Sequence, residues 1–362
     1  LRISNKATRD KSHVEDVLAK ITIQHDELAA LVTQAFTKAG ISEADAAMVA
    51  DSLVDANLVG HDSHGVVRVR GYLKQIRLGN TNAESQLETL NETGSLLVCD
   101  AKASLGQVAM RQVIDKLLPK VREQGVGSAT VINCGHVGRL GEWTERIASR
   151  GFSCLMSVTD NGVLKCVAPP GGKRPTISTN PLSIGIPTAT GPMAVDISTS
   201  AVANGKVLVA RAAGEDCPPG WLIDAEGNPT TDPNVRYTEP RGSLLPMGGE
   251  QGYKGFGLGV FLDFLVAGLS GGFCPPAPDG ATGYNNVLLV VWDPESHSGS
   301  THMYEQVKRL AAFVRDCPTV EDAPSIRLPG DRTQQCRRER LKSGIPLDES
   351  TYDEIKTAAL GD

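Results

Sequence analysis

A chain of 362 residues, 40% of them hydrophobic and 22% charged, carries enough apolar mass for one large core or two domains. A net charge of −6 does not point to nucleic acid or an anionic membrane surface, which would want a basic face. Eight scattered cysteines, with no CxxC pair, fit a reducing, cytoplasmic compartment in which they act as small core residues.

Residues 1–20 read as a polar extension. They mix Arg2, Lys6, Arg9 and Lys11 with Asp10, Glu15 and Asp16, and hold no apolar core of the kind a secretory signal needs. In "QHDELAALVTQAFTKAG", Leu28, Leu31, Val32, Ala35 and Phe36 recur at helical spacing, and Gly40 supplies the stop. A second helix, "SEADAAMVADSLVDANLVG", opens on Ser42 as N-cap. It runs into "GHDSHG" at residues 60–65, and a third helix, "VVRVRGYLKQIRLG", leaves it. The hexapeptide is therefore a glycine-bounded joint between helices.

From about residue 93 the pattern changes. "SLLVCD", "VGSATVINC", "FSCLMSVTD", "PLSIGIP", "MAVDIS" and "NVLLVVWD" are short apolar runs rich in β-branched residues and read as strands. Helical stretches alternate with them, which makes the middle of the chain a mixed α/β domain. The longest apolar stretch, residues 256–272, is short for a membrane span, carries Asp263 at its centre and reads as a buried helix. "PPGWLIDAEGNPTTDP" reads as a loop ordered by its turn residues. The tail returns to helix, and its basic run "CRRERLK" reads as a solvated face. The expected organisation is an extension at 1–20, a helical unit at 21–92 completed by 318–362, and an α/β domain at 93–317.

No G-x-G-x-x-G opens a helix after a strand, so a standard Rossmann site is disfavoured; "GFGLG" at 255–259 has the wrong spacing. His61 and His64 are three apart and, with Asp62, form a possible metal set, although HxxH alone is weak; the plain alternative is a polar joint with Ser63 or Asp62 as a cap. Arg68 lies four beyond His64 and Tyr72 four beyond Arg68, so on one helix all three share a face. A guanidinium clamps a carboxylate through paired hydrogen bonds, and an imidazole exchanges a proton near neutral pH. The plain reading is a surface arginine and a core tyrosine. In "NCGHVGRLGEW", a glycine-rich turn carries His136 and Arg139 from a strand into a helix whose start can receive an anion. "GGKRPTISTNPLSIGIP" groups the donors Lys173, Arg174, Ser178, Thr179 and Asn180 before a strand. Gly330 and Asp331 precede another helix start, a further candidate contact for an anion or ribose.

"GHDSHGVVRVRGY", "GHVGRLGEW", "TISTNPLSIGIP", "DISTSAVANGKV", "GWLIDAEGNPTTDP", "GYKGFGLGVFLDFLVAGLSG" and "LPGDRTQQCRRERLKSGIPLD" occur in one order from about residue 20 to the end. Together they resemble the malate/L-lactate dehydrogenase family that is distinct from the Rossmann-type lactate dehydrogenases. The resemblance implies a mixed-sheet, non-Rossmann domain that binds NAD or NADP. It implies a small carboxylate substrate, either a 2-oxo/2-hydroxy acid or a cyclic imine-2-carboxylate, and a homodimer with a shared active site. His64 falls on the family's acid/base, with Ser63 beside it. Arg68 falls on the grip for the substrate carboxylate, Tyr72 on the same pocket, and His136 beside substrate and nicotinamide. Arg139, Ser178, Thr179, Asn180, Pro181, Leu182, Lys254, Gly330 and Asp331 are the expected cofactor contacts. No metal is implied; a metal-dependent hydrolase using His61 and His64 is the rival of another class. Tyr253 stands where many relatives carry histidine.

Overall fold

The computed structural model describes residues 20–361; the polar extension lies outside them except for Lys20, which opens the first strand. The chain opens with β1 (Lys20–Ile23), α1 (His25–Lys38) and α2 (Glu43–Leu58). Two single 3₁₀ turns lead into α3 (Val69–Arg77). There follow β2 (Glu88–Glu92), β3 (Leu96–Asp100), α4 (Gly106–Gln124), β4 (Val126–Cys134), α5 (Leu140–Ser149) and β5 (Ser153–Thr159). Next come β6 (Leu182–Ile186), β7 (Met193–Ile197), α6 (Asn204–Ala213), and the short strands β8 (Leu222–Ile223), β9 (Pro229–Thr230) and β10 (Ser243–Leu244). The last elements are α7 (Tyr253–Ser270), β11 (Asn285–Trp292), α8 (Ser300–Arg315), α9 (Asp331–Ser343), β12 (Ile345–Asp348) and α10 (Glu349–Leu360).

The fold is α/β with a mixed sheet. Seven strands run in the order β2-β3-β4-β11-β5-β6-β7, and only β3 and β4 are parallel. The 19-residue α4 between those two strands makes the crossover that a parallel pair needs. β11 is central and reads "NNVLLVVW", apolar nearly throughout, because both of its faces are covered. Val287, Leu289 and Val291 join the core under α4 and α5, with Trp143 fully buried there. On the other face α7 lies across β4, β5 and β11.

A second core joins the two ends of the described chain. β1 pairs antiparallel with β12, and Leu28, Val32, Phe36 and Leu53 pack with Ile345, Ile355 and Ala359. Each of the Leu, Val, Phe and Ile side chains among them, fully buried, contributes about 1.5–3 kcal/mol. Ser42 caps α2 as the spacing predicts, accepting from the Asp45 N–H at 3.2 Å. A third, smaller core gathers Cys166, Val167, Ile177, Val207, Leu222 and Leu244 around the sheet β10-β8-β9.

Several expectations need correction. The loop at 218–233 contains the β8–β9 hairpin. β1, β2 and β12 are strands that were not expected: β2 is an exposed sheet edge, and β1 and β12 pair only with each other, four residues each, with Ile23, Ile345 and Leu347 turned into the second core. α7 is not a wholly buried helix. Its inner side buries Gly255, Gly259, Leu262, Asp263 and Val266, whereas Phe261, Phe264, Leu265 and Leu269 are exposed. By length and composition α7 is also apolar enough to cross a membrane, but here one side of it is built into the sheet layer. The run "CRRERLK" is not simply solvated: Arg337 pairs with Asp55 at 2.7 Å and Arg340 with Asp62 at 2.6 Å.

Candidate active site

The site begins where α2 ends. Gly60, at φ +79°, stops the helix, and the chain makes one 3₁₀ turn at Asp62–His64 and another at Val66–Arg68 before α3 starts. His64 therefore does not share a helix with Arg68 and Tyr72, contrary to the helical-spacing argument. The joint is braced instead by groups that contact its backbone and its acid. Asn57, buried in α2, accepts the Val66 N–H at 2.8 Å and donates to Asp62 at 2.7 Å. Gly65 sits so close to Asn57 that a Cβ there would lie 2.1 Å from the amide oxygen. From α9, Arg340 grips both oxygens of Asp62, at 2.6 and 3.1 Å. Arg68 donates through Nε to the Ser63 carbonyl at 2.7 Å, and Ser63 Oγ lies 3.1 Å from His64 Nδ1.

β4 ends in a turn with Asn133 and Gly138 at positive φ, and this turn delivers His136. The His136 ring stacks on His64, with centroids 5.6 Å apart and planes 23° apart. The Tyr72 hydroxyl reaches His136 Nδ1 at 2.6 Å, and Gln107, at the start of α4, donates to the same hydroxyl at 3.2 Å. Tyr72 and His136 line a cavity of about 400 Å³ completed by Gln75, Leu105, Gly106 and Tyr284. A cavity of about 450 Å³ between α3 and α10 is lined by neither histidine, and its Arg70 is already paired with Glu354 at 2.6 Å.

Burial, aided by the Arg68 charge, pulls His64 down to about 3, and the same causes hold His136 well below the usual histidine range. Burial pushes the Tyr72 phenol up to about 12. All three rings are therefore neutral at pH 7. Arg68 has no acidic partner among the described residues, and its terminal nitrogens make no hydrogen bond there. A half-buried guanidinium without a counter-ion is set up to receive one.

The low value for His64 carries a stability consequence. Its folded pKa lies below the unfolded value of about 6.5, so the unfolded chain binds the extra proton between the two values. The contribution is complete above about 6.5 and is lost as the pH falls towards about 3. Wild type is thus expected to lose stability faster than His64→Asn, by up to about 1.4 kcal/mol per pH unit between about pH 6 and pH 4. Urea midpoints against pH measure this; parallel curves for the two proteins would contradict it.

The remaining expected contacts separate. Ser178, Thr179, Asn180, Pro181 and Leu182 lead into β6, with Asn180 at φ +33°. Asn180 donates to Asp263 at 2.6 Å and to the Gly259 carbonyl at 2.9 Å, while the carbonyls of Thr179 and Pro181 accept from Thr199 and Ser157. Three buried acceptors on these segments, Asn180 Oδ1, Asp263 Oδ1 and Asp160 Oδ1, have no donor among the described residues. A nicotinamide nucleoside brings carboxamide and hydroxyl donors, so this acceptor set fits it. Lys254 is exposed at the start of α7 beside Tyr253. Gly330 abuts Ala194 of β7, and the Asp331 carboxylate is held by Arg315 at 2.9 and 3.1 Å. Arg139 is turned elsewhere. It is 4% exposed and forms buried pairs with Asp55 at 3.0 Å and Glu145 at 2.8 Å, because a guanidinium inside the protein must be matched by carboxylates. Asp62, the carboxylate of the rival metal set, has both oxygens engaged by Arg340.

Asn57, Gln107 and Arg340 are functional neighbours that the sequence reading missed. Asn57 and Gln107 each had a faint signal, a lone amide in an apolar helical run next to a candidate turn. Arg340 had none, since its partner lies 278 residues away.

The malate/L-lactate dehydrogenase family model matches residues 23–356. The chain is 34% identical over 339 residues to hydroxycarboxylate dehydrogenase B of Escherichia coli K12, covering 92% of each. It is 33% identical to the (2R)-3-sulfolactate dehydrogenase (NADP(+)) of Chromohalobacter salexigens, covering 92% of this chain and 97% of that one. The solved malate dehydrogenase of Pyrococcus horikoshii OT3 superposes with a TM-score of 0.83 at 28% identity, covering 97% of both chains. With its fold and nearly its whole length accounted for by these matches, the protein is an oxidoreductase that belongs to the malate/L-lactate dehydrogenase family.

Proposed function

We propose that the protein interconverts a small 2-oxo acid and the corresponding 2-hydroxy acid with NAD or NADP. The observation that carries this is the unpaired Arg68 beside the stacked pair His64–His136. When bound, the nicotinamide cofactor supplies or receives the hydride at the substrate C2. The terminal nitrogens of Arg68 hold the substrate carboxylate as a bidentate pair. In oxidation the neutral His64 takes the hydroxyl proton. In reduction the carboxylate first offsets the Arg68 charge that disfavours the imidazolium, and His64 then gives its proton to the carbonyl oxygen. Ser63 orients the His64 ring through Nδ1.

In this reading residues 93–317 form a non-Rossmann dinucleotide-binding domain, and 21–92 with 318–362 form a helical unit that carries the acid/base turn. The segment 178–182 and Asp263 hold the nicotinamide nucleoside, with Lys254 and the Gly330–Asp331 turn nearby on the cofactor side. The uncovered Phe261, Phe264 and Leu269 on α7 support a homodimer, and five buried free cysteines support a reducing, cytoplasmic setting.

The test is a panel of 2-oxo acids and cyclic imine carboxylates scored by oxidation of NADH and of NADPH, with 2-hydroxy acids scored in reverse. Turnover of at least one 2-oxo or 2-hydroxy acid is expected, and activity should survive EDTA. Turnover confined to imines would replace the substrate class, and a flat panel in both directions would sink the reading.

A further inference from the structure

Four groups meet at the His136 ring, and their donor and acceptor capacities determine one another. The Gly138 backbone N–H can only donate, and it points at His136 Nδ1 from 3.3 Å. At that length the contact favours a lone pair on Nδ1 without securing it alone; a proton there would set two donors against each other inside the protein. The Tyr72 hydroxyl, 2.6 Å from the same nitrogen, must therefore donate to it. Its oxygen is left as an acceptor, and the Gln107 amide N–H₂ fills that need at 3.2 Å. Reversing the Gln107 amide would bring its oxygen to the phenol and draw the phenolic hydrogen away from His136. Gln107 is fully buried in the first turn of α4, and because the two ends of an amide pack alike, the acceptor at the phenolic oxygen sets its direction, leaving its Oε1 without a donor among the described residues. His136 Nε2 makes no hydrogen bond to any described residue, and the ring lines the cavity.

We propose that Gln107, acting through Tyr72, fixes His136 in the neutral tautomer that carries its proton on Nε2, so that His136 serves as a hydrogen-bond donor to the substrate oxygen and not as a second base. Gln107 and Tyr72 are then positioning residues. Only the final step, donation to substrate, rests on the dehydrogenase reading; the tautomer is a property of the free protein. The arrangement divides labour between two stacked imidazoles. His64 exchanges the proton, and His136 polarises the carbonyl or steadies the forming alkoxide without itself changing charge.

The test is the nitrogen spectrum of protein labelled with ring-¹⁵N histidine at neutral pH, His136 being assigned by its loss in His136→Asn. A bare Nδ1 and a protonated Nε2 are expected for His136. A protonated Nδ1 overturns the proposal with no variant needed. Tyr72→Phe removes the donor, and Gln107→Glu places an acceptor where the phenolic hydrogen is drawn off. Both are expected to move His136 towards a mixture of tautomers and to lower kcat by about tenfold or more with the cofactor KM unchanged. A wild-type spectrum in both variants overturns the roles of Tyr72 and Gln107. The expected tautomer in a protein that turns over none of the panel acids overturns the dehydrogenase reading while leaving the tautomer standing.

Discussion

His64→Asn is expected to lower turnover by about 10²–10⁴-fold while the protein still binds NADH or NADPH. Asparagine keeps a polar side chain of similar reach on the 3₁₀ turn, so the braces from Asn57, Arg340 and Arg68 persist. What it lacks is a nitrogen that can gain and lose a proton. The loss should therefore fall on kcat, in both directions, and cofactor titration by fluorescence should be unchanged. Turnover within a few-fold of wild type would remove His64 from the chemistry. The effect should exceed that of disturbing His136 through Tyr72, because a hydrogen-bond donor that never changes charge contributes less than the group that carries the proton.

Arg68→Lys is expected to reduce kcat/KM for the acid substrate by about 100-fold or more, with most of the loss in the substrate KM. The ammonium keeps the charge. It cannot offer two parallel N–H groups to a carboxylate while a third, Nε–H, holds the Ser63 carbonyl. Arg68→Ala should be weaker still and should regain part of its activity with added guanidinium, which a merely misfolded site would not do. An unchanged substrate KM in Arg68→Lys would place the carboxylate grip elsewhere.

The strands β3 to β7 and β11, and the helices α1 to α7 and α10, were legible because each buries one face or both, and burial imposes a period of 2 or 3.6 on the sequence. The short strands β1, β2 and β12 were not: β2 is exposed along most of its length, and four residues of alternation in β1 and β12 are too few to stand out from a loop. The candidate site was legible through residues whose chemistry is rare in apolar surroundings, His64, Arg68, Tyr72 and His136. Their geometry was not. The shared helix face was an inference from spacing, and the chain instead breaks into two 3₁₀ turns around Gly65. Arg139 shows the limit plainly. Its place in a helix-start turn looked suited to an anion, yet its partners Asp55 and Glu145 lie inside the protein.

What the sequence determined by itself was local: the periodicity of the main helices and strands, the cap at Ser42, the break at Gly60, the ordered family blocks and the histidines with their arginine and tyrosine. What only the tertiary structure decided was which of these groups meet. A period reports which face of an element is buried, not what covers it. Contacts such as Tyr72 with His136, Gln107 with Tyr72 and Arg340 with Asp62 span 64, 35 and 278 residues. They form only when the β4–α5 turn, the start of α4 and α9 are folded around the same joint, so the proton positions that matter for chemistry are a property of the fold.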